Sequence, residues 1–112
     1  MENQLTNLSY LKATCGDSND MMNSIITTFL DTTPPILADM HLNIASKNWE
    51  LLKRNAHKAK SSFMMMGAKS TGEKLEEIEL NSTEEESPNL IRLLTNIETE
   101  CTVVFEELRK AI

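Results

Sequence analysis

The run WELLKRNAHKAKSSFMMMG, Trp49 to Gly67, constrains this chain more than any other stretch in it. Trp49, Leu52, Ala56, Ala59, Phe63 and Met66 recur at spacings of three and four residues. At about 100° per residue they form one continuous stripe, the mark of an amphipathic helix packed into a bundle. The stripe also dictates what faces outward. His57 follows the stripe's centre by one residue and so points roughly 130° away from the core, into solvent. Lys60, one turn later, lies at the stripe's edge on the same side. Ser61 and Met64 follow on the outward face, and Lys53 precedes them. A histidine with only a packing job would sit in the stripe.

The rest of the chain repeats the helical period. Thr6 is placed to cap a short first helix from Asn7 to about Thr14, burying Leu8 and Leu11. Gly16 ends it, and Asp17 or Ser18 caps the next. That second helix turns Met22, Ile25, Ile26 and Phe29 inward. Thr33-Pro34-Pro35 predicts a kink or short break, because proline lacks a donor and disfavours helix in the residue before it. Renewed helix then carries Ile36, Leu37, Met40 and Ile44. Ser46 or Asn48 starts the site helix, which ends at Gly67. Ala68, Thr71, Leu75 and Ile78 form the stripe of the next helix. Gly72 inside it either weakens that helix by about 1 kcal/mol relative to alanine or permits close packing. Asn81 to Glu86 reads as a polar, acidic loop. Ser87-Pro88 signals a new start, a cap followed by proline in the first turn. Leu90, Leu94, Ile97, Cys101, Val104 and Leu108 follow on one face. No segment alternates with period two. The expected fold is all-α: an antiparallel four-helix bundle with a short additional N-terminal helix, one domain spanning residues 1–112.

Charge and composition narrow the function. A net charge of −6, from 17 acidic and 11 basic residues, argues against nucleic acid, whose phosphates need a basic face. The basic residues concentrate near His57, as Lys47, Lys53, Arg54, Lys58 and Lys60, while acids collect from Glu73 to Glu86. Such a bipolar surface can steer an acidic partner toward the histidine. Interspersed charge on a solvated helix is the plainer reading of the same residues. Cys15 and Cys101 lie far apart, in no metal spacing, and Cys101 falls on a core stripe. No apolar run is long enough to cross a bilayer, and the first ten residues do not read as a signal peptide. A cytoplasmic monomer is expected.

A lone exposed histidine is ordinarily just a surface residue, but the residues around His57 form a pattern. The order is Ala56-His57-Lys58-Ala59-Lys60-Ser61-Ser62, then Phe63, then Gly67-Ala68, then a Leu-Glu-Glu run at Leu75 to Glu77. This resembles the histidine-containing phosphotransfer (HPt) domains of bacterial and plant two-component phosphorelays. Their motif reads roughly aHxxKGs, a short spacer, Gly-Ala, then a second helix rich in Leu and Glu. The resemblance implies that His57 is the phosphorylated histidine, that Lys60 supports the phosphoryl group, and that Gly67 is the glycine after the site helix. One position departs: the family's glycine after the lysine is Ser61 here. In the family, its missing side chain leaves room for the partner domain. Lys53, Ser61 and Met64 are then the expected partner-binding residues. The implied partners are a response-regulator receiver domain and a hybrid histidine kinase. The receiver is expected to supply Mg²⁺ and the accepting carboxylate; no metal or other cofactor is expected on this chain.

Competing classes fare less well. A histidine-kinase dimerisation pair needs an acidic residue after the histidine and a proline soon after it, whereas Lys58 follows His57 and no proline comes before Pro88. No Gly-rich phosphate cradle is present, so the chain reads as a phosphoryl carrier and not as an ATP-dependent kinase. A metal-binding bundle lacks its Glu-x-x-His pair. A non-catalytic HPt-like adaptor, which binds receivers without transferring phosphate, is the remaining alternative, and Ser61 is the residue that favours it. His41 has no lysine or carboxylate at a telling spacing and reads as structural or surface.

Overall fold

The computed structural model describes residues 4–112, and every regular element among them is helical. Five α-helices follow in order: α1 (Ser9–Cys15), α2 (Asn19–Ala45), α3 (Trp49–Met65), α4 (Lys69–Leu80) and α5 (Ser87–Ala111), with a single 3₁₀ turn at Glu84–Glu86 before the last. The 27 residues of α2 span about 40 Å at 1.5 Å each, close to the molecule's 46 Å long axis. The four long helices contact one another in a ring, α2 on α3, α3 on α4, α4 on α5 and α5 back on α2, while α1 leans on α2.

The apolar stripes account for this ring. On α3, Leu52, Ala56, Ala59 and Phe63 are buried, as is Met66 just after it, and Trp49 is half-buried at the start of the stripe. On α5 all six expected positions are buried, from Leu90 to Leu108. On α4 the buried set is Thr71, Gly72, Leu75 and Ile78, with Ala68 just before. Phe63 has no exposed surface and meets Phe29 of α2 edge to face, with ring centroids 4.9 Å apart. Edge-to-face aromatic pairs are favoured beyond their buried area alone.

Local starts and stops differ from expectation in four places. The first helix begins at Ser9, not Asn7, and Thr6 does not cap it. Its amide and hydroxyl both donate to Glu107 Oε1 on α5, and the Leu5 amide donates to Glu107 Oε2. Pro34 and Pro35 do not interrupt α2. Both prolines are exposed, so their rings and the carbonyls they leave without a donor can face water, and the inward residues on either side hold one axis. Ser87 is the first residue of α5, not its cap, and Glu86 takes the cap position without a side-chain bond. The site helix ends at Met65, two residues before Gly67. Two caps are as expected in kind: Ser18 Oγ accepts from the Met21 amide and Asn48 Oδ1 from the Leu51 amide.

Candidate functional site

The site is built on the hairpin of α3 and α4. Asn48 caps α3, and Glu50 sits in its first turn, where a negative charge suits the helix N-terminus. Burying the α3 stripe turns His57 outward, with 62% of its side chain exposed. Lys60 is mostly covered and lies between core and surface, as its position at the stripe's edge requires. Lys53, Ser61 and Met64 are all exposed. The Ser61 hydroxyl donates to the His57 carbonyl at 3.2 Å, so it folds back onto its own helix and leaves little bulk beside the imidazole.

Gly67 makes the hairpin. Its φ of +71° is left-handed. Its amide donates to the Met64 carbonyl and that of Ala68 to the Phe63 carbonyl, both at 2.9 Å. These two bonds form a Schellman ending, with buried Ala68 against the buried Phe63 turn. Space is as demanding as φ here: a Cβ on Gly67 would lie 2.0 Å from the Asn7 carbonyl oxygen. The hairpin brings α4 back along α3 with Gly72 against Met64, where an added Cβ would come within 2.7 Å of the Met64 sulfur. Close packing is therefore why a glycine stands inside α4.

Seven residues from that contact on each helix, two turns back along α3 and two turns on along α4, stand His57 and Glu79. Glu79 Oε2 lies 3.0 Å from His57 Nδ1, and its Oε1 takes a hydrogen bond from Lys60 Nζ at 3.2 Å. One carboxylate thus holds both residues. A carboxylate can only accept, so Nδ1 carries the proton and the lone pair of Nε2 is left pointing to water. Glu79 is three-quarters covered, which strengthens both bonds relative to a fully solvated pair. No sequence motif marked Glu79; the register of a hairpin turning at Gly67 is the signal that finds it.

The second histidine lies elsewhere and is not without a carboxylate. His41 of α2 meets Glu98 of α5 at 3.0 Å, through Nε2. The partner comes from another helix, which is why no spacing near His41 disclosed it. Cys15 and Cys101 are both buried and free. Burial, helped by the charge of Glu98, pushes the Cys101 thiol up to about 11, so it is no thiolate nucleophile at neutral pH. Among the described residues, no cluster of three or more His, Cys, Asp or Glu could hold a metal ion, and no helix is long and apolar enough to cross a membrane.

Against known families, the model of the Hpt domain matches residues 24–111. This chain belongs to the Hpt domain family. Membership assigns it a phosphotransfer-related role in two-component signalling. The match begins inside α2, so α1 and the segment before it lie outside the matched part of this Hpt domain. Comparisons with curated proteins and with solved structures gave no match.

Proposed function

We propose that this Hpt domain relays a phosphoryl group between receiver aspartates through a phosphohistidine at His57. The observation that carries this reading is the Nδ1 contact with Glu79, which leaves the nucleophilic Nε2 exposed. In the forward step the Nε2 lone pair attacks the phosphorus of a receiver's aspartyl phosphate. The N–P bond forms, the P–O bond to the aspartyl oxygen breaks, and that oxygen leaves as carboxylate. The imidazole becomes cationic, and its Nδ1 proton remains hydrogen-bonded to Glu79, whose charge stabilises it. Lys60 offers an ammonium to the phosphoryl oxygens, and Glu79 holds it in reach until they arrive. Any Mg²⁺ would be held by the receiver and would offset phosphoryl charge on its own side.

The four long helices are taken as an antiparallel bundle with α1 as the short leading helix, and residues 1–112 as one domain. Their ring of contacts supports this. The partners are a response-regulator receiver and a hybrid histidine kinase, met by a cytoplasmic monomer through Lys53, Ser61 and Met64. Ser61 stands where the family has glycine, and its inward-folded hydroxyl supports the transfer reading over a non-catalytic adaptor. Incubation with a receiver charged by acetyl phosphate tests this. Acid-labile, base-stable label on the peptide carrying His57 is expected; complex formation without any label would establish the adaptor instead. Ser61→Gly should match the native rate, and Ser61→Leu should stay folded but transfer poorly.

A further inference from the structure

The seam between α2 and α5, across the ring of helices from the α3–α4 hairpin, holds a groove of about 450 Å³. That is the size of a site for a small molecule. Pro34, Leu37 and Ala38 of α2 and Phe105 of α5 wall it. Pro34 and Ala38 are exposed and Phe105 is half-buried, so apolar surface faces water along the groove. The Phe105 ring is held from behind by Phe29, edge to face at 5.7 Å. One end of the groove is polar. His41 and Glu98 line it, their side chains 41% and 43% exposed. His41 occupies Glu98 Oε2, and among the described residues no donor reaches Oε1. A carboxylate has about four acceptor positions, so Glu98 is only partly used. The Thr102 hydroxyl donates to the Glu98 carbonyl at 3.3 Å, and its oxygen stays free to accept. Burial keeps the thiol of Cys101, at the floor, neutral. Acceptors and a carboxylate thus stand beside an apolar wall.

We propose that this groove is a binding site for a small organic ammonium ion with an aromatic or alkyl body. The ammonium donates to Glu98 Oε1 and Thr102 Oγ1, and the body lies along Pro34, Leu37 and Phe105. Charge complementarity selects this occupant. An ammonium brings donors and no acceptor, which is what a half-used carboxylate and a free hydroxyl oxygen lack. A ligand carboxylate would meet Glu98 instead, and a neutral body would leave Oε1 to water. A chain of net charge −6 also draws cations to itself. The far end of the groove tolerates positive charge, since Arg109 already lies over the Phe105 ring, 5.7 Å from its centroid. Glu98 and Phe105 are seven residues apart on α5, about 10 Å along its axis, a gap that a phenyl ring on a short alkyl tether bridges. The site shares no residue with His57, Lys60 or Glu79, so it stands independently of the transfer reading.

Phenethylamine tests this, with phenylethyl alcohol and hydrocinnamate as its neutral and anionic counterparts. Each is titrated into the isotope-labelled whole chain at physiological salt, and the amide NMR shifts are followed. Saturable shifts gathered at Leu37, Ala38, Cys101 and Thr102 are expected for the amine, with a dissociation constant on the order of 1 mM, as suits so small a ligand. The alcohol should bind about tenfold more weakly, and hydrocinnamate should not bind. Glu98→Gln, whose amide oxygen can still accept from His41, should keep the fold and bring phenethylamine down to the affinity of the alcohol. Equal affinity for amine and alcohol would overturn the proposal. So would saturable binding of hydrocinnamate, an unchanged affinity in Glu98→Gln, or amine shifts that never saturate or scatter over the acidic surface. A dimer in sedimentation that Ala38→Arg disperses would also overturn it, by assigning the groove to a second copy of the chain.

Discussion

Two histidine–carboxylate pairs stand on different faces of this molecule, both with a contact of 3.0 Å. On the α3–α4 hairpin, Glu79 takes the Nδ1 of His57; across α2 and α5, Glu98 takes the Nε2 of His41. The choice of ring nitrogen separates them. Nε2 is the outer nitrogen, free at His57 and occupied at His41, where only Nδ1, closer to the backbone, is left. The surroundings differ as well. His57 is the more exposed of the two, and its carboxylate also holds a lysine, whereas among the described residues Glu98 is ion-paired with His41 alone. A histidine beside a carboxylate is therefore not yet a nucleophilic site. The free outer nitrogen and the nearby cation are what the proposed transfer would need in addition.

The largest expected effect tests that distinction directly. His57→Gln should abolish labelling by either a charged receiver or phosphoramidate while the helical circular dichroism is unchanged, and His41→Gln should label like the native protein. Reversed behaviour would mean the two pairs have been assigned the wrong way round. Next come the carboxylates. Glu79→Ala removes a hydrogen bond to a group that would become charged in the proposed transfer, a loss on the order of 1.5–3 kcal/mol, or about 10- to 100-fold in rate. Glu98→Ala should leave the rate within about twofold, because the proposed transfer does not use His41. Stopped-flow transfer from one receiver measures both.

A third carboxylate sharpens the contrast between site and scaffold. Glu100 of α5 accepts from Thr71 and Lys74 of α4, at 2.7 Å each, and more weakly from Ser70. Burial pushes its acidity one way, but these donors and the Lys74 charge outweigh it and hold the carboxyl below its ordinary range. The Thr6 and Leu5 donors do the same for Glu107 against its own burial. A depressed carboxyl contributes stability that is present above its unfolded-state value and is lost as pH falls through the folded one. Native stability should therefore decline below about pH 5. Glu100→Gln should flatten that decline and leave labelling at neutral pH intact, in contrast to Glu79→Ala. Urea titration across the acid range checks it. The smallest effect belongs to Gly72→Ala. The gain in helix propensity, about 1 kcal/mol, is offset by displacing the Met64 sulfur. Since Met64 is partly exposed and flexible, net stability should change by less than about 1 kcal/mol. A loss of several kcal/mol would show that the Met64–Gly72 contact, which sets the register bringing Glu79 to His57, is rigid.

What the chain disclosed in advance was whatever its period controls. The α3 stripe put His57 out and Lys60 at the edge, and the α5 stripe was right at every position from Leu90 to Leu108. What stayed hidden was settled by partners distant in sequence. Thr6 has the look of a cap, yet its donors go to Glu107, 101 residues away. Glu79 and Glu98 are two among many surface glutamates until the helices are side by side. Pro34-Pro35 misleads for a related reason: the local preference for a break is overridden by Phe29, Leu37 and Met40, all buried on one continuous helix.

Position 67 carries two constraints that no single replacement relieves. Asparagine tolerates left-handed backbone better than most residues, but its Cβ would still strike the Asn7 carbonyl. Moving the segment at Asn7 aside would clear that space, yet leave a φ of +71° that side chains resist. Substitutions at Gly67 and changes in that segment are thus bound to be non-additive, each altering the penalty of the other. The turn that returns α4 to the imidazole and the fastening of the N-terminal segment are one object to mutation, although some sixty residues of chain separate them.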